Sequence, residues 1–178
     1  MDTLLVIDMQ NAWLNGDTPR LERAAVIARI NHAAEQTRRQ GGKVIFVRHC
    51  DAEAVPGTPG WQVDSDLLVA GADRFVDKTA CDAFADTALR AQLQAIGTRT
   101  LLICGLATEF CVDTSLRAAV SQGFDVVALS DAHTTGDRPH LSAARIVEHH
   151  NWVWAHMAIP HGRTLKVQTV HDAFSAPA

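Results

Sequence analysis

The sequence has no CxxC pair, no run of basic residues and no apolar stretch near the roughly 20 residues of a membrane span. Each absence removes a class of function. Without a Lys/Arg cluster, and with a net charge of -4, there is no footprint for nucleic acid or an anionic membrane surface. A small molecule or another protein is the expected partner. The 4 cysteines are unevenly spaced, which reads as reduced thiols rather than a disulfide framework. No basic leader precedes the first apolar run, so an untargeted cytoplasmic protein is expected. Repeats, linkers and low-complexity blocks are also missing, and 178 residues with 47% hydrophobic content fit one domain over residues 1–178.

What is present alternates between two periods. Thr3 to Asp8, Lys43 to His49, Asp73 to Lys78, Thr100 to Cys104, Asp125 to Ser130 and Thr164 to Val170 read as strands, several of them continuous apolar runs ending in a polar residue. Between them lie helical patterns: Leu21 to Arg39, a segment capped by Asp86 or Thr87 that stops at Gly97, a segment ending at Gly123, and one beginning at Pro139 with Asp137 as a cap. Residues 51–69 carry Pro56, Gly57, Pro59 and Gly60, which suits an ordered excursion and part of a lid. The Ala/Pro end is expected to fray. Alternation at this spacing implies an α/β fold of three layers, α/β/α, around a mostly parallel, Rossmann-like central sheet.

In such a sheet, ligands bind outside the carboxyl ends of the strands. The residues at those ends are Asp8, His49, Lys78, the Gly105 to Cys111 link, and Asp131 with His133. Cys111 sits close to the start of a helix, where the dipole and unpaired N–H groups favour thiolate. A carboxylate, an ammonium and a thiol held together can run nucleophilic hydrolysis, with Asp8 taking the thiol proton and Lys78 stabilising negative charge. Spacing alone does not choose between this and three ordinary roles: Asp8 as a turn cap, Lys78 as a solvated charge, Cys111 as a small core residue.

Four segments then add a resemblance. LLVIDMQNAW (Leu4 to Trp13), FVDKTACDAFADT (Phe75 to Thr87), CGLATEFCVDTSLRAA (Cys104 to Ala119) and SDAHTT (Ser130 to Thr135) resemble, in order and through nearly the whole chain, the isochorismatase-like cysteine hydrolases, which include nicotinamidases and N-carbamoylsarcosine amidase. The resemblance implies that Asp8, Lys78 and Cys111 form a catalytic triad. It also implies a cis peptide between Leu106 and Ala107, with the N–H groups of Ala107 and Cys111 forming an oxyanion site. The implied reaction is hydrolysis of an amide or ureide C–N bond through a thioester. Isochorismatases proper cleave a vinyl ether and often lack the cysteine, so the presence of Cys111 favours C–N cleavage. A homo-oligomer, dimer or tetramer, is implied as well.

Nicotinamidases carry an Asp-x-His segment after the second strand that helps bind a metal. Here His49, Cys50 and Asp51 stand in that place, the order is missing, and neither a metal nor another cofactor is assigned. Gln10, Trp13, His49, Trp61 and Phe84 are candidate substrate contacts. His133 and His140 are expected to make structural hydrogen bonds, and Cys50, Cys81 and Cys104 to be bystanders. Trp152 and Trp154, read as following the last helix with alternating exposure, put one of the pair at a subunit contact. Two rival readings are a non-catalytic metabolite-binding member of the fold, opposed by the retention of Asp8, Lys78 and Cys111, and a thiol redox protein, which lacks a CxxC pair.

Overall fold

Asp2–Ile7 (β1) is apolar without alternation because both of its faces are covered; Leu4, Leu5, Val6 and Ile7 are fully buried. The computed structural model describes residues 2–175, and the expected fraying end, 176–178, lies outside the described residues. After β1 come Asn11–Leu14 (α1), Arg23–Arg39 (α2), Lys43–His49 (β2), Arg74–Lys78 (β3) and Leu89–Ile96 (α3). Thr100–Leu106 (β4) then leads through a π-helical turn, Thr108–Val112, into Asp113–Ser121 (α4). Asp125–Thr134 (β5), Ala143–His156 (α5), Leu165–Gln168 (β6) and Val170–Phe174 (α6) complete the order.

The six strands form one parallel sheet in the order β3-β2-β1-β4-β5-β6. Leu5 and Ile7 face a core shared with Leu89, Leu93, Leu116 and Trp154, so α3, α4 and α5 cover that side. Leu4 and Val6 face Val26, Ile27, Ile30 and Val170, so α2 and α6 cover the other. This is the three-layer α/β/α arrangement. Chain order reverses between β1 and β4, which opens a crevice at their carboxyl ends. Among the described residues no helix is long and apolar enough to cross a membrane.

Several boundaries differ from expectation, each for a local reason. β4 does not stop at Gly105 but runs to Leu106, and β5 runs past Ser130 to Thr134 with a register shift against β4. His133 therefore lies in a strand rather than a loop. α5 starts at Ala143 instead of Pro139, because Ser142 caps it by accepting from the Arg145 N–H; Asp137 does cap, accepting from the Ala143 N–H. Trp152 and Trp154 are inside α5 rather than beyond it, the first 61% exposed and the second buried. The chain after β6 forms α6, capped by Thr169, where continuation of the strand to Val170 was expected. α1 is one short turn that the sequence pattern does not announce.

Candidate active site

Asp8 follows the last residue of β1 and is anchored there by its N–H, which donates to Val47 O at 2.9 Å. Its φ is 50°, a left-handed conformation that aspartate tolerates better than most residues. One strand over, β4 can end against β1 only because Gly105 lacks a side chain. At its φ of 121° a Cβ would come within 2.1 Å of Ile7 O. The Leu106–Ala107 peptide that follows is cis. Among the described residues the Ala107 N–H donates to no backbone acceptor, while Ala107 O accepts from Phe110 N and Val112 N and so closes the π-helical turn that presents Cys111.

Lys78 ends β3, paired in register with His49 at the end of β2. Its ammonium donates to Asp8 Oδ2 at 2.7 Å, to Cys111 Sγ at 3.2 Å and to Ala80 O at 3.0 Å. His49 Nδ1 lies 3.0 Å from the same nitrogen. The ammonium has three N–H groups for four neighbours and no lone pair to offer, so His49 Nδ1 faces it as an acceptor sharing a donor, and the imidazole proton sits on Nε2, which faces Asp51 Oδ2 at 3.6 Å. The structure thus brings Asp8, Lys78, Cys111 and His49 together from distant segments.

All three charged or titratable partners are nearly sealed from water: Asp8 is 3%, Lys78 2% and Cys111 9% exposed. Burial raises the pKa of Asp8, against the opposing pull of the Lys78 ammonium, its hydrogen bond and the nearby Cys111 thiol. Burial also raises Cys111, Asp8 adds to the rise, and Lys78 opposes it. For Lys78 burial acts downward, but Asp8 and Cys111 outweigh it and its pKa is raised. Lys78 is thus held as an ammonium against Asp8, and Cys111 is harder to ionise than a free thiol. Burial of the sulfur works against the helix-start preference for thiolate. Asp8 Oδ1 has no hydrogen-bond partner and is the oxygen left to take the thiol proton.

Asp8, His49 and Cys111 each offer a metal-ligand atom, all within 4.8 Å of one another. These atoms do not fit a metal site, because the Lys78 ammonium already lies against all three. Nor does Asp51 reach toward them as a free ligand: its Oδ1 accepts from the N–H groups of Glu53 and Ala54 and shapes its own loop.

A cavity of about 300 Å³ opens onto the sulfur, lined by Asp8, Trp13, His49, Asp51, Leu106, Ala107 and Cys111 among others. Trp13 and His49 both line this cavity, with their rings edge-on at 6.1 Å. Three expected contacts are elsewhere. Gln10 is fully buried; its amide nitrogen donates to His49 O and Trp61 O and its oxygen accepts from the His49 N–H, so no polar atom remains for a ligand and it clamps His49 instead. Trp61 lies under the Arg48 guanidinium, 3.7 Å from its ring centroid, outside the cavity. Phe84 is core, stacked on Phe124.

Arg20, Phe110 and Arg138 also line the cavity and no sequence pattern singled them out. Their only signal is position, since each belongs to a segment leaving the carboxyl end of β1, β4 or β5. Behind the nucleophile's turn, His133 is buried and makes the structural bonds expected of it. Asn151 Nδ2 donates to Ser130 O, so its Oδ1 faces His133 and must accept from Nε2–H; His133 Nδ1 then accepts from the Thr108 hydroxyl at 2.8 Å. Cys104 is inert by burial, within the sheet and 3.4 Å from Leu5 O.

Similarity to known proteins places the chain in a family. Residues 2–172 match the family model of the Isochorismatase domain. A streptothricin hydrolase of Streptomyces noursei is 35% identical over 142 residues, covering 78% of this chain and 51% of that protein. Nicotinamidase 3 of Arabidopsis thaliana is 30% identical over 149 residues, covering 74% of this chain and 72% of that protein. The chain spans about half the length of the streptothricin hydrolases it matches. A crystal structure of an isochorismatase family protein superposes with a TM-score of 0.87 at 33% identity, covering 94% of this chain and 98% of that one. With the same fold and a family match over nearly its full length, the chain belongs to the isochorismatase family.

Proposed function

We propose that this chain is a cysteine-dependent hydrolase of a small-molecule C–N bond, an amide or ureide. The observation that carries this reading is the buried ammonium of Lys78 in contact with both Asp8 Oδ2 and Cys111 Sγ, beside the cavity onto which the sulfur opens. A relative named for nicotinamide hydrolysis supports the bond class. The reaction follows from the protonation states. Cys111 passes its proton to Asp8 as the sulfur attacks the carbonyl carbon, and Lys78 holds the charge that develops on sulfur. The tetrahedral oxyanion is received by the N–H groups of Ala107 and Cys111. As it collapses, Asp8 gives the proton to the departing nitrogen and a thioester remains. Asp8 then takes a proton from water, whose oxygen attacks the thioester, and the proton returns to the sulfur as the acid leaves.

A buried carboxylate with a raised pKa is a stronger base than an exposed one, which suits the proton relay. In this reading the chain acts as one catalytic unit in the cytoplasm, where its cysteines stay free. It assembles as a dimer or tetramer through the exposed Trp152 face of α5; light scattering on Trp152→Ser checks this, a lower mass being expected. The decisive test is ammonia release from a panel of primary amides and ureides by wild type and Cys111→Ala, with hydroxylamine used to trap the acyl group. Wild-type turnover lost in Cys111→Ala, with an acyl hydroxamate formed by wild type and not by Cys111→Ala, is the expected outcome. Turnover retained by Cys111→Ala would overturn the mechanism.

A further inference from the structure

The turn that carries Cys111, Thr108–Val112, is held from outside itself. A π-helical turn is a rare local conformation, and no side-chain cap starts this one. Its side chains are bonded instead to residues of β5, α5 and the segment between them. Thr108, at the start of the turn and fully buried, donates its hydroxyl to His133 Nδ1 at 2.8 Å. Glu109 Oε1 accepts from the Thr135 hydroxyl and the Arg138 guanidinium. Asp113, the first residue after the turn, accepts from the Trp154 indole N–H at 2.7 Å. The His133 and Trp154 rings meet edge-on with centroids 5.0 Å apart, so the two ends of the turn are held by one packed unit.

His133 reaches Thr108 because β5 continues past its register shift, which sets His133 opposite Gly105 and Thr134 opposite Leu106. Asn151 fixes the tautomer, so both ring nitrogens are engaged and Nδ1 can only accept. A threonine hydroxyl left to itself bonds a backbone group of its own segment. Here it is drawn across to another strand, and its residue follows directly on Ala107. Resting on the hydrolase reading above, we propose that His133 is a positioning residue for the oxyanion site: through Thr108 it sets where the Ala107 and Cys111 N–H groups point, while Trp154 fixes the far end of the same turn through Asp113. His133 itself touches no reacting atom. A displacement of about 1 Å in a catalytic group can cost on the order of 100-fold in rate, so a ring behind the turn is able to govern it.

Two reactions of the same sulfur separate this role from a merely structural one. Acylation by p-nitrophenyl acetate, read as first-turnover release of nitrophenolate, passes through a tetrahedral oxyanion. Alkylation by iodoacetamide, read by peptide mass mapping at Cys111, displaces iodide from a saturated carbon and forms none. Acylation of other groups, Cys81 on the cavity wall included, is subtracted with Cys111→Ala. The wild-type ratio of acylation to alkylation is expected to exceed that of free cysteine by about 100-fold, the scale of one oxyanion donor. It should fall by about tenfold or more in Thr108→Val and in His133→Asn, fall no further in the double variant, and return in Thr108→Ser, with alkylation changed by less than about twofold throughout. Trp154→Phe keeps a ring against His133, loses the N–H to Asp113 and should lower the ratio as well; it decides if the other variants do not fold. A ratio that is high in wild type and unmoved by these variants, or acylation and alkylation falling together, overturns the proposal and leaves the hydrolase reading in place. A wild-type ratio equal to that of free cysteine removes the oxyanion site itself, and both readings fail.

Discussion

Replacing His133 by asparagine isolates a pH effect that the structure specifies. The ring is 3% exposed, and burial lowers its pKa from the ordinary 6.5 to about 4. Its Nε2–H is given to Asn151 and its Nδ1 takes the Thr108 hydroxyl, so the neutral form satisfies both neighbours. Between these two pKa values only the unfolded chain binds the proton, and the folded protein loses stability as pH falls through that window. At about 1.4 kcal/mol per unit of pKa, the full effect is roughly 3 kcal/mol. Asp8, whose pKa is raised, has the opposite sign in an overlapping range, so the wild-type curve alone mixes the two. The difference between wild type and His133→Asn cancels Asp8, and the cavity left by the smaller side chain adds only a pH-independent offset. Urea unfolding at a series of pH values should give a difference that is constant above the usual histidine range and shrinks as pH falls toward about 4, where wild type loses its advantage. A difference that is flat across the whole interval would show that His133 titrates normally and that the tautomer argument is wrong.

Two further outcomes follow from the same geometry. Lys78→Met leaves Asp8 buried without its ammonium and should destabilise the fold by about 3–5 kcal/mol in urea unfolding, with part of that recovered in the Asp8→Asn/Lys78→Met double variant; a loss under 1 kcal/mol would mean that water reaches Asp8. Gly105→Ala places a methyl group within 2.1 Å of Ile7 O and demands a φ of 121° from alanine. Failure to accumulate folded protein, or a loss of several kcal/mol, is expected by thermal unfolding, and a near-neutral change would show that the β1–β4 junction can separate.

Much of this protein is legible along the chain because its information is local. Six strand patterns with helical spacing between them determine a parallel sheet, and the rule that ligands bind at carboxyl strand ends is enough to gather Asp8, His49, Lys78 and Cys111 as candidates. Apolar periodicity cannot see where a strand stops when the next residues are also small or buried, which is why β4 and β5 run longer than expected and His133 enters the sheet. It also cannot see which polar atoms are already engaged. Gln10 and Trp13 are three residues apart on the same segment, yet one has every polar atom committed to backbone and the other lines the cavity. Electrostatics are the least local feature of all. The pattern at Cys111 argues for thiolate from a helix start, whereas the folded chain surrounds the sulfur with apolar side chains and a carboxylate that act against ionisation, and with the Lys78 ammonium that favours it. Residue types and their order therefore determine the fold class and the chemical groups of the site. Tertiary packing alone decides their protonation, the clamp on His49 and the bonds that hold the turn of Cys111 from β5 and α5, because desolvation and pairing depend on neighbours that are distant in sequence.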